Sequence, residues 1–174
     1  MAALFDGKLG NAAYIRLLQG HHALYADWER RHASWFAGGL TNSGWQYQSR
    51  LLAIESDLRS LGAQPTLRVE ATMAPTQEIS LPSSDTEEVS WGSLYVIEGS
   101  ALGGQIIARK LLLEFPGHRH RFFRLSHGGN RPTWKVFQGL MADQLSDAGS
   151  RRTIALQARA TFYVFQRMLN AVMR

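Results

Sequence analysis

Four glycines interrupt an apolar stretch that otherwise has the composition of a helix. They are Gly92, Gly99, Gly103 and Gly104, within residues 91–107. A glycine inside a helix destabilises it by roughly 1 kcal/mol relative to alanine, so keeping four of them needs a reason. Gly92, Gly99 and Gly103 are spaced by seven and four residues, which places them on one face of a helix. The pattern predicts a groove without side chains, in which a flat ligand can reach the backbone.

Three uses of such a helix are compatible with the pattern. Gly99 and Gly103 form a GxxxG pair, which is typical of transmembrane helix dimers, but the carboxylate of Glu98 would be costly in the middle of a membrane. A close crossing of two helices in a bundle would also need small residues. The third use is a platform for a planar cofactor, which the polar side chains of Ser100 and Gln105 favour.

The composition narrows the chemistry further. The 174 residues include no cysteine, which excludes disulfides, thiolate metal sites and the cysteine chemistry of thiaminase-like helical proteins. A di-iron bundle is not expected, because it needs paired Glu and Glu-x-x-His sets on facing helices. No secretory signal is visible at the start, so we expect a cytoplasmic protein. No membrane partner is expected.

The net charge of +5 is unevenly distributed. Residues 1–108 carry 7 Lys/Arg and 11 Asp/Glu, whereas residues 109–174 carry 12 and 3. The basic half predicts an anionic partner, such as a ligand with carboxylates. Nucleic acid is not expected, because the arginines are scattered without a recognition motif.

Helical periodicity accounts for most of the chain, and no pair of strands with a hairpin signal competes with it. Start and stop signals predict five helices. The first runs from Asn11 to Gly38–Gly39, the second from Thr41–Ser43 to Gly62, and the third from a capping box at Ser84–Glu87 to about Phe115. The fourth begins at Pro132 and the fifth near Gly149. Residues 63–83 are predicted to form a loop. The expected fold is all-α, with residues 1–174 in a single domain.

The stretch from Gly92 to Gln105, GSLYVIEGSALGGQ, resembles the distal-helix signature of bacterial biliverdin-producing haem oxygenases, especially those found beside bacteriophytochromes. Later segments follow the same order: FF at 122–123, WKVF at 134–137 and ATFYVF at 160–165. The resemblance covers the chain from about Phe5 onward. It implies a haem oxygenase-like multi-helical bundle in which haem lies between a proximal and a distal helix.

The resemblance also implies site residues. The distal backbone around Gly99, Ser100, Gly103 and Gly104 is expected to contact the macrocycle and to direct oxygen towards a meso carbon. Better-known animal members carry an aspartate at the position of Ser100. Serine can still hydrogen-bond a water but brings no carboxylate, so distal proton delivery here is expected to rest on backbone groups, Gln105 or a more remote residue. The side chains expected to contact haem are Tyr95, Gln105, Phe162, Phe165 and, at the propionates, Lys135.

The implied reaction consumes haem, O2 and electrons and yields biliverdin, carbon monoxide and ferrous iron. An external donor such as ferredoxin or a reductase would supply the electrons, and a bacteriophytochrome is a candidate biliverdin acceptor. The family's iron ligand is a proximal histidine, which this comparison places upstream of Met1; His22 is the substitute within the chain. The alternative is a non-catalytic haem- or bilin-binding protein that has lost this ligand.

Overall fold

The computed structural model describes residues 9–66, 81, 87–125 and 134–172. Within these ranges the chain forms helices and connections and no strand, so the predicted all-α class is confirmed. The helices are α1 (Asn11–Arg31), the short α2 (Ala33–Trp35), α3 (Leu51–Ser60), α4 (Glu87–Glu114), α5 (Trp134–Gln144) and α6 (Ala148–Val172). A π-helical turn, Phe36–Leu40, follows α2. No helix in the described ranges is long and apolar enough to cross a membrane.

The core lies between the three longest helices. α4 packs along α6, α1 packs against α3 and α6, and α5 covers one part of α4. Large side chains of α1, including Tyr14 and Trp28, are fully buried, as are Leu94 and Ile97 of α4. Burial of apolar surface of this kind stabilises each helix through its packed face.

The segment before α3 is the main difference from the predicted helices. A helix was expected from Thr41–Ser43, but α3 begins at Leu51. The carboxylate of Glu29 on α1 accepts hydrogen bonds from Tyr47 Oη at 2.9 Å, Ser49 Oγ at 2.6 Å and the Arg50 amide at 2.9 Å. These bonds hold an irregular connection against α1, and this tertiary anchor overrides the helical periodicity.

Two helix starts also differ from the prediction. Asn11 is the first residue of α1, preceded by Gly10 at the cap position without a side-chain cap bond. α6 is capped by Asp147, whose carboxylate accepts the amides of Gly149 and Ser150 at 2.7 and 3.0 Å. This is the ordinary role of aspartate at a helix N-terminus. The capping box at Ser84 and the start at Pro132 lie outside the described residues.

Candidate functional site

The four glycines of α4 meet four different surroundings. A Cβ atom added at Gly92 would lie 2.6 Å from the carbonyl oxygen of Ile154 on α6. Gly92 therefore permits a close helix crossing, and its predicted place in a ligand groove is wrong. A Cβ atom at Gly104 would lie 2.5 Å from the carbonyl oxygen of Phe123, so this glycine lets the connection after α4 approach its backbone.

The other two glycines differ in how open they are. A Cβ atom at Gly99 would lie 3.3 Å from the indole of Trp134, the first residue of α5. At Gly103 an added Cβ would meet no atom within 4 Å. Among these four glycines, Gly103 therefore faces open space. That space is part of a cavity.

The cavity has a volume of about 550 Å³ and an almost entirely apolar wall. This volume lies within the range of about 300 to 1,000 Å³ typical of cofactor sites. Its lining residues come from five parts of the chain: Leu17, His21 and Tyr25 of α1; Arg50, just before α3; Val96, Ile97, Ser100, Ala101, Gly103, Gly104, Ile106 and Ile107 of α4; Phe122, Phe123 and Leu125 of the connection after α4; and Phe162, Phe165, Gln166 and Leu169 of α6. A flat apolar molecule fits such a space, with the backbone of α4 on one side and aromatic rings on others.

The polar groups of the wall converge where α1 faces α4. Tyr25 and Ser100 both line the cavity, and Ser100 Oγ donates a hydrogen bond to the Ile97 carbonyl at 2.8 Å. Burial raises the pKa of Tyr25 to about 12, with Arg50 lowering it and Glu98 raising it. The phenol is therefore a neutral donor at physiological pH.

Arg50 is the charged residue in this polar part of the cavity wall. Its Nη2 atom lies 2.9 Å from Oε2 of Glu98, and both side chains are buried. Burial by itself would lower the pKa of the guanidinium, but Tyr47 and Glu98 raise it overall, so Arg50 remains charged. The wall thus carries a fixed positive charge, neutralised locally by a carboxylate.

The adjacent histidines of α1 have different surroundings. His21 lines the cavity, and its Nδ1 is bonded to the Leu17 carbonyl at 2.8 Å. His22 does not line it: Nδ1 contacts the Thr66 carbonyl at 2.9 Å, and Nε2 contacts Glu55 Oε1 at 3.3 Å. Both ring nitrogens of His22 are engaged, so the structure does not support His22 as the substitute iron ligand.

The remaining predicted residues divide in the same way. Ser100, Gly103, Gly104, Phe162 and Phe165 line the cavity, whereas Gly99, Tyr95, Gln105 and Lys135 do not. Tyr95 is 38% exposed and stacks obliquely on Trp134, with ring centroids 5.5 Å apart. Lys135 is exposed in the first turn of α5. Gln105 lines a different pocket.

That second pocket is basic. It has a volume of about 340 Å³ and lies on the neighbouring face of α4, lined by Gln105, Ala108, Arg109, Leu112, Arg119, His120 and Arg124. Three guanidinium groups in one concavity attract anions.

A metal site made only of protein ligands is not found in the described part of the chain. No three His, Asp or Glu side chains come together there in a way that could hold an ion. One Glu-x-x-His sequence does occur, at Glu29 and His32, but Glu29 binds the connection before α3, and His32 Nδ1 bonds to the Trp28 carbonyl at 2.8 Å.

A family model described as Heme oxygenase matches residues 1–171. This chain belongs to the haem oxygenase family. A curated Heme oxygenase from Xanthomonas campestris pv. campestris (strain 8004) is 38% identical over 175 residues, spanning 100% of this chain and 99% of the relative. No solved structure matches the chain. The predicted family is confirmed, and membership favours a haem-degrading enzyme over the non-catalytic alternative.

The described residues of this haem oxygenase fit a bound haem in shape and polarity. The open backbone at Gly103 and the aromatic walls suit a flat macrocycle, and His21 is a nitrogen donor within the cavity. Sequence reasoning missed His21, Tyr25 and Arg50 as wall residues. Tyr25 occupies one of the regularly spaced apolar positions of α1, which predict core packing. Only its hydroxyl group indicated a polar role in the cavity wall.

Proposed function

We propose that the cavity between α1, α4 and α6 is the site at which this haem oxygenase binds and cleaves haem. The observation that carries the proposal is the open position at Gly103. A helix that keeps a glycine facing empty space loses stability without gaining a packing contact. A ligand that lies against the backbone at this point accounts for that loss.

When bound, haem supplies the iron at which O2 is reduced and is itself the substrate, cleaved to biliverdin, carbon monoxide and ferrous iron. The chain's own residues do the positioning. The backbone at Gly103 and Gly104 sets how closely the macrocycle approaches α4, and the walls at Phe122 and Phe165 exclude bulk water.

Proton supply on the side of α4 rests on hydroxyl groups. The two hydroxyl-bearing residues Ser100 and Tyr25 line the cavity as a pair, and both Arg50 and Glu98 act electrostatically on Tyr25. We propose that this pair holds a water molecule and passes protons through it. It supplies the distal polar group that the sequence comparison left open.

A bulky side chain at Gly103 would fill the cavity and so tests whether haem binds there. Gly103→Phe is expected to weaken haem binding at least tenfold, measured by the Soret absorbance and by quenching of tryptophan fluorescence during haemin titration. The matched control is Leu113→Phe, on the same helix, where Leu113 is 86% exposed. Equal haem affinity in both variants and the parent would place haem elsewhere and would refute the cavity assignment.

The proposal also covers the propionate contact, the electron donor and the biliverdin acceptor. We propose that Lys135 contacts a haem propionate, that an acidic ferredoxin or a reductase supplies electrons, and that a bacteriophytochrome accepts biliverdin in the cytoplasm. The charge of residues 109–174, with 12 Lys/Arg against 3 Asp/Glu, supports an anionic electron donor. Turnover with ferredoxin should then slow as ionic strength rises, whereas turnover with ascorbate should change little.

A further inference from the structure

The basic pocket on α4 carries positive charge that its own walls do not neutralise. Arg109 belongs to α4, and Arg119 and Arg124 belong to the connection after it. Within the described ranges none of these three guanidinium groups forms a salt bridge, whereas Arg50 is paired with Glu98 at 2.9 Å. No carboxylate is among the described residues that line the pocket. The three like charges therefore repel one another across an open concavity.

His120 fixes the part of the connection that carries two of these arginines. Its side chain is buried, and Nε2 donates to the Phe115 carbonyl at 3.2 Å, because a carbonyl oxygen only accepts hydrogen bonds. Nδ1 then accepts a hydrogen bond from Tyr14 Oη at 2.8 Å. His120 also has a φ of 49°, a left-handed conformation that residues with a side chain rarely adopt. Arg119 directly precedes this anchored residue, so the pocket wall is built on a fixed backbone.

The carboxylate that acts on His120 is already used elsewhere. Asp57 of α3 raises the pKa of His120, but burial lowers it overall, which keeps the ring neutral. Both oxygens of Asp57 accept backbone amides, those of Arg121 at 2.8 Å and Phe122 at 2.9 Å. Asp57 therefore holds the connection in place, and the charge of the pocket comes from its arginines.

Shape and charge together favour a small anion as the ligand. The pocket volume of about 340 Å³ lies within the range of about 300 to 1,000 Å³ typical of small-molecule sites. A protein partner would instead cover roughly 800 Å² of surface on each side. A guanidinium group binds phosphate through two parallel N–H···O bonds, so arginines from two segments suit a phosphate group placed between them.

We propose that the basic pocket binds a small phosphate-bearing anion, which bridges Arg109 of α4 to Arg119 and Arg124 of the connection. The assignment does not depend on haem in the neighbouring cavity. The bridge would nevertheless act on that cavity, because Phe123 lines the cavity and the adjacent Arg124 lines the pocket.

The test titrates inorganic phosphate into the full apo-protein by isothermal titration calorimetry, with sodium chloride holding the ionic strength constant. We expect a single saturable site in the parent. The double variant Arg119→Gln/Arg124→Gln should weaken phosphate binding at least tenfold, and Arg109→Gln should weaken it as well. Saturating phosphate should also slow hydrogen exchange in the connection of the parent, because the anion ties that segment to α4.

Two controls separate a built site from general charge. Arg152→Gln/Arg159→Gln removes the same charge from exposed positions of α6 outside the pocket, so it should bind phosphate like the parent. Gly103→Phe alters the haem cavity and should also leave phosphate affinity unchanged. Circular dichroism of each variant reports whether it folds, and because the substituted arginines are exposed, we expect native spectra.

Three results would overturn the proposal. The first is equal loss of phosphate affinity in the pocket variant and the α6 control, which would mean general attraction by net charge. The second is hydrogen exchange in the connection that saturating phosphate leaves unchanged. The third is unchanged phosphate affinity in Arg119→Gln/Arg124→Gln together with slower turnover with ferredoxin, which would assign the pocket to the electron donor.

Discussion

Arg50 and Glu98 form an ion pair of 2.9 Å in which both side chains are buried at the edge of the cavity. The guanidinium also lies over the ring of Tyr47, 4.9 Å from its centroid. Arg50 comes from the connection before α3, and Glu98 comes from α4. The pair therefore ties the irregular segment to the glycine-bearing helix at the place where the two meet the proposed haem site.

Breaking this pair from one side should be more harmful than removing it entirely. Arg50→Met leaves the Glu98 carboxylate buried without its guanidinium, which should lower the free energy of unfolding by about 3 kcal/mol or more. The double variant Arg50→Met/Glu98→Leu should lose less than either single variant, as measured by urea denaturation. As a control, Arg30→Ala removes a pair to Asp27 in which Arg30 is 73% exposed, and should cost less than about 1 kcal/mol. Additive losses in the double variant would contradict this account.

Neighbouring glycines of α4 should respond oppositely to alanine. Gly103→Ala meets no atom within 4 Å and should stabilise the apo-protein by roughly 0.5–1 kcal/mol through helix propensity. Gly104→Ala places a methyl group 2.5 Å from the Phe123 carbonyl oxygen, so it should destabilise by about 1–3 kcal/mol. Thermal unfolding of the two apo-proteins measures the difference, and a lower melting temperature for Gly103→Ala would show that its position is not open.

The sequence indicated the importance of the glycine-bearing helix but not the separate role of each glycine. Spacing places Gly92, Gly99 and Gly103 on one face, and that part depends only on helix geometry. Whether a face position meets α6, an indole or empty space depends on how distant segments pack. Gly92 and Gly103 therefore looked equivalent in the sequence and differ in the structure.

The same limit applies to α1 and the segment after it. Adjacent residues on a helix point about 100° apart, so His21 and His22 meet different surroundings, and periodicity alone does not say which one faces a cavity. The helix predicted from Thr41 failed because Glu29, eighteen residues before Tyr47, binds that segment through its carboxylate. Long-range hydrogen bonds of this kind leave no local signal.

The aromatic wall of the cavity is held by Asp57 of α3. Its Oδ1 accepts the Arg121 amide at 2.8 Å, and its Oδ2 accepts the Phe122 amide at 2.9 Å. Asp57→Asn turns one acceptor into a donor facing an N–H group, so it should destabilise the protein by about 1–3 kcal/mol. Hydrogen exchange at Phe122 should accelerate, and haem affinity should fall. The isosteric change Asp143→Asn, at an exposed position of α5, should alter neither quantity.

Acidification should destabilise the apo-protein partly through His32. Burial against Trp28 lowers its pKa from 6.5, while the bond to the Trp28 carbonyl and Asp27 raise it and Arg31 lowers it. His32 therefore binds a proton more tightly in the unfolded chain than in the folded one. Its contribution to the free energy of unfolding is fully present above pH 6.5 and is lost as the pH falls below that value. His32→Phe should reduce the slope of unfolding free energy between about pH 7 and about pH 5. His120, whose pKa burial also lowers, should leave a residual slope. Identical slopes in the parent and His32→Phe would exclude His32 as a contributor.

A larger side chain at Gly103 should change the reaction rather than the fold. Leucine at Gly103 projects into the cavity, where it would crowd oxygen and displace water beside the Ser100–Tyr25 pair. Gly103→Leu should therefore retain some haem, yet it should lose biliverdin formation and divert turnover to peroxidase-like oxidation. Bilin absorbance and carbon monoxide release measure the first reaction, and guaiacol oxidation measures the second. Gly99→Leu should share this effect by pushing the Trp134 ring, which would lie 3.3 Å from an added Cβ. Leu113→Ala, on the same helix and exposed, should cleave haem like the parent. Normal biliverdin yield from Gly103→Leu would mean that the open backbone of α4 does not govern the fate of oxygen.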